Sequence, residues 1–458
     1  MSITIANQRF LVLGAGVTGT AVARSLKTRG GIVSIADDNA PDAIKPDSVE
    51  LINFDSVVIS PGWRQDHPLV MKVLASDLNI LNEIDLAWQI RSEIAPGQKW
   101  LALTGTNGKT TTVEMTAKIL QTAGLNAVAC GNVGDTVIDA VDRSEPYEYL
   151  VLELSSFQLH WAQDVEFVSA AILNIADDHL DWHGDFDAYA DAKFSILDRS
   201  DIAVLNADDV EVVARSNRYE GRKVFFSLDT PAPGEIGVVE NLLVDRAFVA
   251  DPQQASMICE LADIKPTVPH NVSNALAAAG LARSIGVSYE VIQKALQEFR
   301  PGRHRIETVF ETDSIAWVDD SKATNPHAAA ASLMSHLSVI WIAGGLAKGA
   351  DMNSMIQRCK GRIKAAILIG ADRQLIADAL TQHAPEIPQI MVDTPSDYER
   401  GGNSNSLMEN VVTAALAHVA TGDTVLMAPA CASMDQFISY ADRGDRFAAA
   451  VKKLVAHE

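Results

Sequence analysis

The sequence has little cysteine, a deficit of positive charge and no long apolar run. Its four cysteines, Cys130, Cys259, Cys359 and Cys431, lie far apart in 458 residues and match no metal-binding spacing. That excludes a disulfide framework, and reduced thiols in a cytoplasmic protein are expected. Lysine and arginine number 37 against 59 acidic residues, a formal net charge of −22. Such acidity excludes a general nucleic-acid or anionic-membrane binder. An anionic ligand must then be held locally, by backbone N–H groups, lysine, arginine or metal. No window approaches the ~20 apolar residues of a membrane span. Residues 1–10 lack the basic-then-apolar pattern of a secretion signal. Short-period repeats and low-complexity tracts are also absent. What remains is globular: 48% of residues are apolar, ample for buried cores. The length suits about three domains of roughly 150 residues.

One segment stands out against that background. Leu101-Ala-Leu-Thr-Gly-Thr-Asn-Gly-Lys-Thr-Thr-Thr112 overlaps an apolar run, Trp100 to Leu103, that reads as a buried strand. Gly105 and Gly108 break the run, and a helical pattern follows from Val113 to Leu120. Strand, glycine loop, Lys-Thr and helix are the parts of a phosphate-binding loop, although the first glycine of G-x-x-x-x-G-K-[ST] is missing. Glycines let N–H groups converge on an anion, and the helix N-terminus adds its positive dipole end. Lys109 can reach the outer phosphates, and the hydroxyl of Thr110 or Thr111 can join a Mg²⁺ shell. A nucleoside triphosphate is the predicted ligand. An ordinary strand–helix turn is the plain alternative.

The rest of the chain alternates strand and helix. Strands are predicted at 10–13, 32–35 and 56–60, then at 149–152, 170–173 and 202–205, then at 316–318, 338–343, 365–369 and 424–427. The stretch 224–264 reads as short strands and turns. Ile94-Ala-Pro-Gly-Gln98 and Arg300-Pro-Gly-Arg303 read as linkers. The expected fold is α/β in three tandem domains: Rossmann-like at 1–97, a P-loop ATP-binding domain at 98–302, and Rossmann-like again at 303–458.

Other motifs sit at predicted strand ends. Gly14-x-Gly-x-x-Gly19, with Asp37 or Asp38 downstream, fits a dinucleotide loop. NAD or FAD is the first reading, another nucleotide diphosphate the second, and plain helix–strand packing the third. Glu153 ends a strand where a carboxylate can meet Mg²⁺, or can cap or pair instead. His179, among carboxylates, is a metal ligand or a helix cap. Lys193 reads as an exposed helix lysine. Asn271 and Asn274 cap a helix or contact a base. Polar loops follow three strands of the last third: Asp319-Asp-Ser-Lys-Ala-Thr-Asn325, Gly344-Gly-Leu-Ala-Lys-Gly-Ala-Asp351 and Pro429-Ala-Cys-Ala-Ser-Met-Asp-Gln-Phe437. Strand ends of an open α/β sheet line its ligand crevice.

Taken together, these segments resemble the Mur ligases, ATP-dependent amide-forming enzymes of peptidoglycan precursor synthesis. The resemblance runs through the chain in order. It rests on Gly105-Thr-Asn-Gly-Lys-Thr110, Glu153-Leu-Ser-Ser-Phe-Gln-Leu159, His304-Arg305, Asp320-Ser-Lys-Ala-Thr-Asn325 and the Pro429 segment. The Glu153 and Pro429 segments point to the D-glutamate-adding branch. The first motif is shared with folylpolyglutamate synthases, so another Mur-type or folylpolyglutamate-type ligase is the alternative. A dinucleotide-dependent oxidoreductase leaves the Lys109 loop unexplained, and a nucleotide switch leaves the last three loops unexplained.

The resemblance implies ATP, UDP-N-acetylmuramoyl-L-alanine and D-glutamate as partners, with no nucleic acid, no membrane embedding and a monomeric state. It makes the first loop a UDP site, overturning the dinucleotide reading. Val17, Thr18, Asp37 and Gly62 would contact uridine diphosphate, and Asn132 the sugar-peptide side. Gly105, Thr106, Asn107, Gly108, Lys109, Thr110, Thr111, Asn271, Arg305 and Asp320 would serve ATP. Thr110, Glu153 and His179 would hold Mg²⁺, assisted by a CO₂-derived carbamate on Lys193. Lys322, Thr324, Lys348, Ser433 and Tyr440 would surround D-glutamate. Lys109, Lys193, His179, Arg305 and Lys322 are the expected catalytic residues. The chain departs from the family's pattern at Asn39, where a basic residue can stand, at Leu346, where some members have aspartate, and at Tyr440, a Phe in some relatives.

Overall fold

The computed structural model describes residues 4–455 except Pro252 and Asp313. Residues 1–3 of the segment read for a secretion signal lie outside the described residues. No helix among the described residues is long and apolar enough to cross a membrane. The architecture is α/β, in two compact units. One is Met1–Thr267 with Asn271–Phe299; the other is Val268–His270 with Arg300–Glu458.

The first unit holds two sheets. The smaller is all parallel: β1 (Arg9–Leu13), β2 (Ile32–Ala36), β3 (Ser56–Ile59) and β4 (Asn79–Asn82), in the order β2-β1-β3-β4. The larger contains β5 (Lys99–Thr104), β6 (Ala127–Gly131), β7 (Tyr149–Glu153), β8 (Ser169–Ile172), β9 (Ile202–Asn206), β10 (Arg222–Phe226), β11 (Glu235–Val239), β12 (Leu242–Asp245) and β13 (Ser256–Glu260). Its order is β13-β12-β11-β10-β9-β8-β5-β7-β6. Strands β5 to β10 pair in parallel, whereas β12 runs antiparallel to both β11 and β13. β5 is the central strand of the phosphate loop. Trp100 to Thr104 are all buried, as a parallel strand covered on both faces must be.

The helix after that loop runs Lys109–Thr122, four residues earlier than its apolar pattern suggests. Threonines are mediocre helix formers, but here their hydroxyls are used. Thr112 Oγ1 donates to Gly108 O at 3.0 Å and Thr116 Oγ1 to Thr112 O at 2.8 Å.

Three polar side chains at the end of β4 and just beyond it fasten the small sheet to the large one. Asn82 Nδ2 donates to Trp161 O at 2.7 Å, and Asp85 accepts from the N–H groups of Gln163 and Asp164 at 2.9 Å. Glu83 Oε1 accepts from Ile138 N at 3.1 Å, at the start of helix Val137–Val141. Glu83 is 2% exposed, and burial pushes its carboxyl up to about 7.

The second unit holds one sheet of β14 (Glu307–Glu311), β15 (Ala316–Asp319), β16 (Val339–Gly344), β17 (Ile363–Ile369), β18 (Gln389–Met391) and β19 (Thr424–Met427), in the order β14-β15-β19-β16-β17-β18. Only the β14–β15 pair is antiparallel. All six residues of β16 are buried. Each large aliphatic side chain so covered is worth roughly 1.5–3 kcal/mol. The ends of β15, β16, β17 and β19 then lie on the same side of a parallel sheet.

Candidate active site

In the first unit, chemistry gathers where β5, β7 and β8 end. Gly108 is left-handed (φ +84°) and caps the following helix. A β-carbon there would lie 2.4 Å from Asn274 Oδ1, so only glycine lets the buried Asn274 approach the loop. Asn174 clamps the loop's other side: its Oδ1 accepts Asn107 N at 2.8 Å and its Nδ2 donates to Asn107 O at 3.0 Å. Thr106 Oγ1 meets Tyr189 OH at 2.9 Å and accepts Ala176 N at 2.9 Å. Lys109 Nζ folds back onto Gly105 O and Thr106 O, each at 2.9 Å. Thr110 is half-buried beside it and Thr111 is buried.

Lys193 is not on the surface. It is 2% exposed, and its Nζ donates to Gly105 O at 2.9 Å and Thr104 Oγ1 at 3.3 Å. Burial, then the Lys109 charge, holds its amine well below the ordinary lysine value. The helical spacing that suggested an exposed lysine did not reveal that this helix face turns inward over β5. Glu153, at the end of β7, is also 2% exposed. Its Oε1 accepts Asn132 Nδ2 at 3.0 Å, while Oε2 is buried without a hydrogen-bond partner. A buried carboxylate oxygen left unpaired is costly, and a divalent cation is the partner that suits it. His179 has left-handed backbone (φ +54°) at the start of helix Leu180–His183 and makes no side-chain cap. The capping alternative is therefore not realised. Its ring lies 4.7 Å from that of Phe157, and burial lowers its pKa. Asn271, inside helix Pro269–Ser284, donates its Nδ2 to Pro266 O at 2.9 Å.

At the small sheet, Asp37 accepts three backbone N–H groups: Ala15 and Asn39 at 2.8 Å, and Ala40 at 2.9 Å. The Ala15 hydrogen bond leads in lowering its pKa. Asp37 thus shapes the Gly14–Gly19 loop. Asn39 takes no basic role, but Lys45 Nζ reaches Asp38 O at 2.8 Å, close enough to lower Asp37 further. Val17 is 81% exposed on the first turn of its helix, Thr18 is half-buried, and Gly62 is exposed.

In the second unit the loops after β15, β16 and β19 converge. Lys322 Nζ sits 3.9 Å from the Tyr440 ring centroid. Thr324 N donates to Lys322 O at 2.8 Å, Ser433 is buried, and Lys348 is exposed with φ +51°. Asp320 is buried, and burial pushes its carboxyl up to about 7, with Arg305 opposing. His304 Nδ1 lies 2.7 Å from Asp319 Oδ2, both buried.

Residues 103–282 match the family described as Mur ligase middle domain, and residues 304–431 the one described as Mur ligase, glutamate ligase domain. The UDP-N-acetylmuramoylalanine–D-glutamate ligase of Thermobifida fusca is 44% identical over 98% of both chains. That of Streptomyces coelicolor is 44% identical over 97% of this chain and 98% of its own. The chain belongs to the Mur ligase family.

Solved structures share the Mur ligase fold at low identity. A pseudomurein peptide ligase type C from Methanothermus fervidus is 19% identical with a TM-score of 0.61, over 98% of this chain and 100% of its own. The MurF ligase from Thermotoga maritima in complex with ADP is 16% identical with a TM-score of 0.58, over 98% and 96%. An oxidoreductase reading of the Gly14 loop is not favoured in a Mur ligase. Sequence reasoning missed one central residue of this Mur ligase, Arg443. It is fully buried and donates to Ser321 Oγ and O, Gly344 O and Cys431 O, tying the loops after β15, β16 and β19 together. Burial lowers its guanidinium to about 10. An arginine on an otherwise amphipathic helix carries no signal of its own.

Proposed function

We propose that this chain adds D-glutamate to UDP-N-acetylmuramoyl-L-alanine, with ATP converted to ADP and phosphate. The end-to-end similarity to relatives named for that activity carries the reading. The chain is read as three tandem domains: a UDP-binding one at 1–97, a P-loop ATP-binding one at 98–302 and an amino-acid-binding one at 303–458. It acts in the cytoplasm as a monomer.

A carboxylate is a poor electrophile, so the L-alanyl carboxylate first takes the γ-phosphoryl group and becomes an acyl phosphate. The D-glutamate nitrogen attacks that carbonyl, forming the C–N bond and a tetrahedral intermediate; phosphate leaves as the C=O bond re-forms, and the nitrogen gives up a proton. Phosphoryl transfer needs positioning and charge neutralisation above all. Lys109 is poised on the loop to swing from Gly105 O and Thr106 O to phosphate oxygens, and Arg305 and Asp320 serve ATP as well. Thr110, Glu153, His179 and a carbamylated Lys193 would hold Mg²⁺, and the unpaired Glu153 Oε2 fits that role. Bound Mg²⁺ supplies positive charge to the transferring phosphoryl group. Burial holds the Lys193 amine well below the ordinary lysine value, which favours the neutral form that adds to CO₂. Lys322, Thr324, Lys348, Ser433 and Tyr440 receive D-glutamate, and Val17, Thr18, Asp37, Gly62 and Asn132 the nucleotide substrate.

The test is phosphate release from ATP with UDP-N-acetylmuramoyl-L-alanine across a panel of amino acids. Release is expected with D-glutamate alone. Equal release with L-alanine, a diamino acid or no amino acid overturns the reading.

A further inference from the structure

The loop that carries Lys348 is pinned at several backbone groups on either side of the lysine. Leu346 and Ala432 exchange both hydrogen bonds, at 2.8 and 2.9 Å. Gly344 N donates to Pro429 O at 2.8 Å. Gly345 is at φ +132°, and a β-carbon there would lie 2.1 Å from Ala432 O, so the two loops touch backbone to backbone. Ala350 N then closes onto Ala347 O at 3.0 Å, with Lys348 and Gly349 between them at φ +51° and +80°. Two successive positive φ values across such a closure make a type I′ turn, which favours Asn-Gly or Gly-Gly. A lysine in its first central position is strained, and strain of this kind persists only where the surroundings over-determine it.

One side chain supplies the remaining hold. Asp372, in the loop after β17, accepts Ala347 N on its Oδ2 at 2.8 Å, and its own N–H donates to Gly345 O at 3.0 Å. These two bonds bracket Leu346 and anchor the residue from which the turn starts. Asp435 in turn holds the Asp372 loop, accepting Ala371 N at 2.8 Å. At position 346 this chain has leucine, which offers no side-chain oxygen.

We propose that Asp372 is a positioning residue for Lys348, fixing the turn that sets where the lysine leaves the sheet and so the preference for an amino acid with a second carboxylate. This rests on the reading of Lys348 as a D-glutamate contact. The carboxylate oxygen acts by accepting one N–H, so its place matters more than its charge.

The experiment is steady-state kinetics on Lys348→Ala, Asp372→Ala, Asp372→Glu, Asp372→Asn and the double variant Lys348→Ala/Asp372→Ala, with KM taken for each substrate. Asp372→Ala and Asp372→Glu, which displaces the oxygen, are expected to raise the KM for D-glutamate about tenfold with the KM for ATP unchanged. Asp372→Asn keeps an acceptor oxygen and is expected to stay within about threefold of wild type. The double variant is expected to be no worse than Lys348→Ala, because both changes remove one interaction. Additive effects, an Asp372→Asn as impaired as Asp372→Glu, or an unchanged KM for D-glutamate in Asp372→Glu overturns the proposal. Should Asp372→Ala not fold, the Glu and Asn variants decide it. An unchanged KM for D-glutamate in Lys348→Ala is a separate failure, that of the Lys348 reading itself.

Discussion

Lys109 and Lys193 donate to the same acceptor, the carbonyl of Gly105, each at 2.9 Å. One lysine opens the helix after the phosphate loop, and the other, 84 positions further on, lies in the helix Phe186–Phe194. Two cations on one carbonyl in a buried setting is an unstable charge arrangement. Lys193 resolves it by favouring the neutral amine, with burial the larger cause and the Lys109 charge the second.

Lys109→Ala is expected to lose turnover by roughly 10²-fold or more, the usual scale for a lost charge contact in a transition state. Binding of the UDP substrate should be unaffected, because the residues proposed to hold it, Val17, Thr18, Asp37, Gly62 and Asn132, do not include the phosphate loop. Calorimetric titration with UDP-N-acetylmuramoyl-L-alanine, beside the rate, checks both halves.

Lys193→Arg carries a fixed positive charge and cannot form a carbamate, so it is expected to be inactive. Lys193→Ala should also be inactive and should regain some turnover with added formate. In the wild-type protein, ¹³C-labelled bicarbonate should give a carbamate carbon resonance that Lys193→Arg lacks. Full activity in Lys193→Arg would remove the anion from the mechanism.

Glu83 links stability to pH. Its carboxyl is raised by burial to about 7, so the folded state binds the proton more tightly than the unfolded chain. Its contribution is complete below the unfolded value near 4.5 and is lost as pH rises through about 7. Glu83→Gln keeps an oxygen for Ile138 N and carries no charge. It is expected to raise Tm at pH 8 and leave it nearly unchanged at pH 4.5, the difference corresponding to at most ~3 kcal/mol. Thermal denaturation at the two pH values reads this directly.

His304 is shifted in the same direction, by a different cause. The hydrogen bond to Asp319 outweighs burial and raises its pKa above 6.5. The stabilisation is present at low pH and is lost as pH rises through the raised value. Nitrogen NMR of the ring should show this elevated titration, and Asp319→Asn should bring it down.

Several features were legible in the sequence because they are local. The strand–glycine–lysine–threonine order around Lys109 needs only a few consecutive residues, and the structure places that loop at the end of β5. Central strands such as β1, β16 and β19 stood out as apolar runs. Strands β4, β6, β14 and β18 went unread, and each lies at a sheet edge. An edge strand has one neighbour and a partly wetted surface, so Asn79–Asn82 and Glu307–Glu311 carry too little apolar pattern to be seen.

By itself the sequence determined the α/β alternation, the phosphate loop and the polar strand ends, since these follow from short-range periodicity and turn chemistry. Only the tertiary structure decided which polar residues are buried and whom they meet. Lys193 reads as a surface lysine until its helix packs over Gly105, and Arg443 is unremarkable until three strand-end loops present their oxygens to it. Asp372 likewise gains meaning from Ala347, 25 residues away. Burial and long-range hydrogen bonding are properties of packing in three dimensions, and a one-dimensional pattern does not record them.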